Sequence, residues 1–272
     1  MSKIFMDIAI ISSKKDEASM NIRENLMKFF KESDKKFHDE KVYSYNNIKL
    51  YTVDSDLTYY ENIDQEIESD FFIFISKHKS QSGIPTLSLH SIGNWNENKL
   101  GGKKGKLVLT SAIILRKTFL VLNEIGKNSG YEIVYEATHH GPYLEKPSFF
   151  IEIGSTSKEW SDKNAGNIIA TTLLKSISIK DEEVQVAIGI GGLHTCPEFN
   201  KVVLRNKIAI SHICPKYILP QISKEMIEEA IKKTEERIDF VILDWKGLGK
   251  EKTKVLGVLK ELNLDYKRTT SL

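Results

Sequence analysis

The sequence predicts an α/β fold: a three-layer α/β/α sandwich built on a mostly parallel mixed sheet. Three observations predict it. Apolar runs of strand length alternate with amphipathic helical segments along the chain. The run Phe-Phe-Ile-Phe-Ile at 71–75 carries no polar residue, as a strand covered on both faces requires. Helices separating buried strands are the crossovers that parallel pairing needs.

Residues 1–12 read as a strand, with Ile4, Phe5, Ile8, Ile10 and Ile11 apolar. Ile22, Leu26, Phe29 and Phe30 follow at helical spacing and mark one buried stripe. The polar stretch 31–40 reads as a surface loop. The buried strand at 71–75 comes next, then the strongest apolar helix at 111–125 with Gly126 as its stop. Strands at 132–136 and 148–153, a helix at 157–177 and a strand at 184–190 continue the series. A strand at 207–212 precedes a helix with Met226, Ile227, Ala230 and Ile231 on one face. Phe240–Leu243 is the last strand, and a final helix runs through Leu262. No repeat, low-complexity linker or Pro/Gly-rich boundary interrupts this order. It reads as one α/β domain spanning 1–272, with room for an inserted subdomain around 77–110.

Composition narrows the function classes. Of 272 residues, 40% are hydrophobic and 28% charged, which excludes a disordered chain, a collagen-like repeat and a coiled coil. The 39 basic and 37 acidic residues nearly cancel, which excludes a histone-like polycation. Two cysteines cannot form a disulfide framework and favour a reducing compartment. No apolar run approaches the roughly 18–20 residues of a membrane span. Asp7 interrupts the N-terminal apolar stretch, which argues against a signal peptide. The expectation is a soluble cytoplasmic protein.

Open parallel sheets bind ligands beyond the carboxyl ends of their strands. The segments there are Ser76-Lys77-His78-Lys79-Ser80, Thr138-His139-His140-Gly141-Pro142, Gly154-Ser155-Thr156-Ser157, Gly191-Gly192-Leu193-His194 and Asp244-Trp245-Lys246-Gly247. Common signatures fail. Gly189-Ile190-Gly191 begins a dinucleotide fingerprint, but His194 stands where its third glycine belongs. Gly101-Gly102-Lys103-Lys104-Gly105-Lys106 lacks the glycine-lysine-hydroxyl ending of a phosphate loop. There is no Gly-x-Ser-x-Gly elbow and no His-Glu-x-x-His helix. His38-Asp39-Glu40 matches half of a zinc deaminase signature, but the Cys-x-x-Cys half is absent.

The adjacent histidines His139 and His140 form the sharpest constellation. On an extended chain they alternate faces, which predicts different jobs: one binds metal or shuttles a proton, the other anchors the loop. Thr156 with Glu159 fits a capping box, and the same amide-rich helix start suits an anion. Glu152, at the end of the preceding strand, is a ligand, a base or a solvated edge charge. The glycines from Gly189 to Gly192 remove side chains so that a ligand can approach the backbone. Cys196 and Cys214 read as buried small hydrophobes. Lys77, Lys79, Lys99, Lys103, Lys104 and Lys106 make the middle of the chain basic, a pattern able to hold an RNA backbone.

Taken in order, these strings resemble one family, the D-aminoacyl-tRNA deacylases of the archaeal and plant type. The matching pieces are Ser-Lys-His-Lys-Ser-Gln-Ser-Gly-Ile-Pro at 76–85 with His90 and Gly93-Asn94, then Leu100-Gly101-Gly102 and Ala137-Thr138-His139-His140-Gly141-Pro142. Glu152-Ile153-Gly154-Ser155-Thr156, Gly189-Ile190-Gly191-Gly192-Leu193-His194, His212-Ile213-Cys214-Pro215-Lys216-Tyr217 and Asp244-Trp245-Lys246-Gly247 complete the set. They span roughly residues 70–250, whereas the first 70 fit only in pattern. Leu193 departs from the family pattern where a third glycine is expected, and Cys196 with Glu198 departs nearby.

The resemblance implies hydrolysis of the ester between a D-amino acid and the terminal ribose of tRNA. It implies the phosphorylase/peptidyl-tRNA hydrolase architecture, and zinc as cofactor. With the residue reading, it gives His139, His140, Glu152 and His194 as catalytic. The metal ligands are then His139, His140 and His194, with Glu152 beside them and His90 and His212 in support. Substrate binding falls to Lys77, His78, His90, Gly154, Ser155, Thr156, Gly191, Gly192, Lys103 and Lys104. The partner is the aminoacyl-tRNA acceptor end, with no membrane, and the chain acts as a monomer. A metal-dependent amidase, a phosphorylase-like hydrolase of small molecules and a noncatalytic RNA-binding protein are the competing readings.

Overall fold

The alternation of strands and helices resolves into two sheets. The computed structural model describes residues 6–272, so Ile4 and Phe5 of the first expected strand lie outside the described residues. Strand β1 (Ile8–Ser13) leads into α1 (Glu17–Leu26), followed by β2 (Lys31–Phe37), β3 (Glu40–Tyr45), β4 (Ile48–Val53), β5 (Phe71–Lys79) and β6 (Thr86–Ser91). Helix α2 (Ala112–Gly126), β7 (Glu132–Tyr135), β8 (Ser148–Ser155), α3 (Ser157–Trp160) and α4 (Lys163–Ser178) complete the first part. The second part holds β9 (Gln185–Ile190), α5 (Pro197–Arg205), β10 (Ile208–Cys214), α6 (Lys224–Lys232), β11 (Phe240–Leu243), α7 (Lys252–Glu261) and β12 (Tyr266–Arg268).

The larger sheet has the order β2-β3-β4-β1-β5-β8-β6-β7 and is mixed; the smaller, β10-β9-β11-β12, is parallel throughout. Strand β5 lies at the centre with parallel neighbours β1 and β8, which is why its apolar run is continuous. Its odd residues Phe71, Ile73 and Ile75 face α1, α2 and α4 through Ile22, Leu115, Phe119 and Ile169. Its even residues Phe72 and Phe74 meet Leu57, Ile63 and Leu144 on the opposite face. Burying each such phenylalanine is worth about 1.5–3 kcal/mol. Ala187, Phe199, Ile210 and Phe240 of the smaller sheet and α5 join the same core as α1, α2 and α4, so the two sheets share one apolar interior.

Three expectations fail for local reasons. Residues 31–40 are not a loop: β2 and β3 form an antiparallel hairpin turned by His38 and Asp39, with φ of 48° and 63°. Strand β2 is an edge strand solvated on both faces, so no apolar alternation marks it, and its lysines discourage further pairing. Phe29 is 46% exposed because α1 ends at Leu26, and only Phe30 returns to the interior. The helix expected at 157–177 is two helices, because Asp162 accepts the Asn164 amide (2.8 Å) and starts α4 afresh. Helix α2 matches its expected span, capped by Ser111 and by Glu236 from the chain beyond α6. The Glu236 carboxylate accepts from Ser111 Oγ (2.5 Å) and from the amides of Ala112 (2.9 Å) and Ile113 (3.0 Å).

A negative charge there satisfies unpaired helix amides and opposes the dipole. Glu236→Ala is expected to lower unfolding stability by about 1–2 kcal/mol, read from urea or thermal melts, and Glu236→Gln by less.

Candidate active site

Side-chain alternation along three paired strands builds the site. Strand β5 continues past its apolar run as Ser76-Lys77-His78-Lys79, in parallel register with Glu152-Ile153-Gly154-Ser155 of β8. Ser76 and Glu152 are register partners and share a face, and Ser76 Oγ donates to Glu152 Oε1 at 2.5 Å. Strand β6 runs antiparallel on the other side of β8, placing His90 opposite Phe150. The chain leaving β7 then carries Glu136, His139 and His140 across the same end. Its Ala137 amide bonds to the His194 carbonyl (2.8 Å) and its Thr138 amide to the Ile213 carbonyl (3.0 Å), which ties it to the second sheet.

Two buried carboxylates organise the imidazoles. Glu136 Oε2 accepts from His194 Nε2 at 2.9 Å and lies 3.7 Å from His139 Nε2. His78 Nδ1 stands 3.2 Å from Glu136 Oε1 and 3.6 Å from Glu152 Oε2. His90 Nε2 is 3.8 Å from Glu152 Oε2 and has no hydrogen-bond partner; Glu136 Oε1 also keeps an unused lone pair. Burial disfavours charge on His78, but Glu136 and Glu152 outweigh it and its pKa is pushed up to about 10. His90 is raised for the same reason, burial being overcome by Glu152. Burial and the neighbouring His90 hold His139 well below the imidazole range and His140 at about 4. Glu136 and Glu152 stay ionised despite burial, because hydrogen bonds from histidines hold both below the carboxylate range.

His139 and His140 do not alternate faces. His140 has a φ of 46°, which breaks the extended chain, and the two rings lie 4.3 Å apart between centroids. Each Nδ1 is anchored on a backbone carbonyl, His139 on Ala137 (2.7 Å) and His140 on Gly141 (2.6 Å). With each Nδ1 anchored, both Nε2 atoms are left to face the site. Donor atoms close enough to hold one metal ion form three sets: His90, His139 and His140; His78, Glu136 and His194; and His90, Glu136 and Glu152. The expected trio is thus divided. His139 and His140 join His90, whereas His194 joins His78 and Glu136.

The cluster opens on a cleft of about 930 Å³ lined by Lys77, His78, His139, His140, Glu152 and His194, and by Ser155 and Thr156 from the expected binding set. Other expected residues lie elsewhere. His212 is committed to the interior, its Nε2 on the Lys233 carbonyl (2.9 Å) and its Nδ1 near Thr138 Oγ1 (3.4 Å). Gly191 and Gly192 (φ of 99° and 85°) do not line the cleft; a Cβ on either would crowd Asp244, at 3.1 and 3.2 Å. Those glycines seat the Asp244 turn instead. Gly154 lacks a side chain because Thr86 Oγ1 and the His78 ring occupy the space. The capping box of Thr156 and Glu159 is present, but the helix it starts has four residues and Glu159 takes the Thr156 amide (3.0 Å), so no anion site forms there. Lys104 pairs with Glu97 (2.8 Å), Lys106 with Glu229 (3.6 Å), and Lys103 lies over the Tyr143 ring (3.8 Å). Cys196 and Cys214 are buried free thiols, as expected.

Glu136 was not singled out by sequence, although it stands at the centre. Its signal is an acid closing a strand just before the paired histidines. Asp16 also escaped notice: it caps α1 through the Ser19 amide (2.9 Å), accepts the Lys77 amide (3.0 Å) and lines the cleft. The Gly101-Gly102 turn supports the histidine loop from behind, and a Cβ on Gly141 would fall 2.2 Å from the Gly102 nitrogen and 2.5 Å from the Thr58 carbonyl oxygen. Both obstacles are backbone. Gly141→Ala is expected to cost about 1–3 kcal/mol of stability and to displace the histidines, so activity should fall further than the melting temperature alone explains.

A family model described as D-aminoacyl-tRNA deacylase matches residues 65–267. The D-aminoacyl-tRNA deacylase of Thermococcus kodakarensis is 37% identical over 270 residues, covering 95% of this chain and 98% of that protein. That of Pyrococcus furiosus is 38% identical, covering 94% and 98%, and that of Methanocaldococcus jannaschii is 32% identical, covering 97% and 100%. Among solved structures, the crystal structure of a conserved protein of unknown function superposes with a TM-score of 0.90 at 27% identity, covering 98% of this chain and 96% of that one. The likeness therefore extends beyond residues 70–250 to nearly the whole chain.

Proposed function

This chain belongs to the D-aminoacyl-tRNA deacylase family, and from that premise we propose how its histidine–carboxylate cluster acts. It hydrolyses the ester of D-aminoacyl-tRNA, releasing the D-amino acid and free tRNA. The observation that carries the mechanism is the convergence of five histidines on Glu136 and Glu152 at the mouth of one cleft. An aminoacyl ester is already activated, so the protein need only position water and substrate and stabilise the developing oxyanion.

The donor set suits zinc. Imidazole and carboxylate are its usual ligands, His139 and His140 are in the neutral form a metal binds, and His90 Nε2 has no hydrogen-bond partner. His90, His139 and His140 would hold it, with His78, Glu136 and His194 as the alternative set. Bound zinc supplies Lewis-acid polarisation of the ester carbonyl. The chain does the rest. Anchoring of both Nδ1 atoms on carbonyls fixes the His139 and His140 rings, so they orient the reacting group without reorganising. Glu152, held by Ser76, and Asp16 face the cleft as anions able to draw the substrate's α-ammonium group. Leu57, Phe150 and Trp160 give the amino-acid side chain an apolar wall. With the ester at the histidines and the ammonium at the carboxylates, the side chain of one enantiomer meets that wall and the other does not.

The tRNA contact falls to lysines beside the histidines, half-buried Lys77 and exposed Lys99 foremost. The setting is the cytoplasm, where charged tRNA is found; no helix among the described residues is long and apolar enough to cross a membrane. The core shared by the two sheets supports a single domain, which in this reading acts as a monomer.

Matched D- and L-tyrosyl-tRNA test the substrate. The D-ester should be lost at least ten-fold faster, and equal rates would refute stereochemical choice. Elemental analysis of untagged protein should find zinc, and a His139→Ala, His140→Ala double variant should lose both zinc and turnover while retaining tRNA affinity. Full activity after exhaustive chelation, with no metal retained, would remove zinc from the mechanism.

A further inference from the structure

A second cleft, of about 360 Å³, meets the first at Leu100, His139 and His140. We propose that it holds the terminal adenosine of the tRNA, with Tyr217 as the surface on which the base stacks. The inference rests on the deacylase reading and divides its substrate between two clefts.

An aminoacyl ester has two arms. With the ester at His139 and His140, the amino acid lies on one side and the nucleoside on the other. The larger cleft is lined by Asp16, Asp56 and Glu152. Those carboxylates can draw an ammonium group, although Lys77 and Lys79 share the lining. The smaller cleft has one carboxylate, Glu97, and Lys104 neutralises it at 2.8 Å. Exposed Lys99 stands at its rim, placed for the phosphate that precedes the last nucleoside.

The remaining lining suits a base. Tyr217 is 60% exposed, a large ring left open to solvent where single-stranded RNA is expected. Asn96 Nδ2 donates to Gln221 Oε1, which holds the two amides side by side. That leaves Asn96 Oδ1 as an acceptor and Gln221 Nε2 as a donor in the lining, and the amino group and N1 of adenine offer the complementary groups. The sequence string ending in Lys216-Tyr217 thereby acquires a role that the histidine cluster does not give it.

The probe is AMP, with binding followed by calorimetry and by competition against turnover. Tyr217→Ala should weaken AMP binding roughly ten-fold, as loss of one aromatic–base stack does, and Tyr217→Phe should retain it. The KM for the minimal ester D-tyrosyl-adenosine should rise by a similar factor in Tyr217→Ala, with kcat changed much less. Trp160→Ala, in the larger cleft, should leave AMP affinity alone. An AMP affinity insensitive to Tyr217, sensitive instead to Trp160, or absent from the wild type would overturn the assignment. Failure of the wild type to cleave D-tyrosyl-tRNA would instead sink the deacylase reading, so the two failures are separable.

Discussion

The structure around the site depends on two carboxylates that remain charged where charge is expensive. Glu136 and Glu152 are 2% and 3% exposed, and an uncompensated carboxylate in such a place would cost several kcal/mol. Their compensation comes from imidazoles and one serine rather than from lysine or arginine. That choice has consequences. A histidine can share a proton with a carboxylate, stay neutral beside another histidine, or bind a metal, whereas a guanidinium does only one thing. The cluster accordingly splits: His78 and His90 are pulled toward the charged form by the acids, while His139 and His140 are held neutral by burial and by the neighbouring His90. Two electrostatic classes of histidine stand within one cleft.

Holding seven such groups in register requires rigid supports from both sheets. Strands β5, β8 and β6 are hydrogen-bonded neighbours, so Ser76, Glu152 and His90 are placed by the ladder itself. Glu136 and the paired histidines come from a segment that is not a strand. That segment is fixed instead by the carbonyls of His194, in the loop after β9, and of Ile213 in β10, and by Thr138 Oγ1, which accepts the Ile213 amide at 3.0 Å. The second sheet thus serves as a clamp on the catalytic segment, and the shared apolar core keeps the clamp closed. Any change that loosens one sheet against the other acts first on Glu136 and His194, which come from different sheets and touch at 2.9 Å.

The legible parts of this fold were those fixed by burial. The run at 71–75, the helix ending at Gly126 and the strand at Phe240–Leu243 all carry their environment in their composition. Edge strand β2 does not, because a strand solvated on both faces has nothing apolar to show. The division into two sheets was equally hidden, since β9, β10 and β11 look like further strands of a single sheet. Within the site, histidines past strand ends were a sound guide, and five of the seven do converge. Sequence could not tell His212 from them: it also ends a strand, but its ring nitrogens are turned inward to Lys233 and Thr138. Nor could it show that the glycines at 191 and 192 pack closely against Asp244.

The left-handed residue at His140 shows why local rules fail at such a place. A φ of 46° is uncommon outside glycine and asparagine and costs of order 1 kcal/mol or more. Ordinary extended backbone would send His139 and His140 to opposite faces, leaving one imidazole at the cleft. The turn brings both Nε2 atoms to His90, and Gly141 follows because the chain there passes within van der Waals distance of the Gly101-Gly102 turn and Thr58. The strain at His140 is offset by packing that only glycines permit, supplied by a segment some forty residues earlier in the chain. The string Leu100-Gly101-Gly102, with no chemistry of its own, is therefore as necessary to the pair of histidines as the histidines are to the cleft. Replacing His140 by glycine would relieve the backbone and abolish its purpose, since the positive φ exists to aim an imidazole.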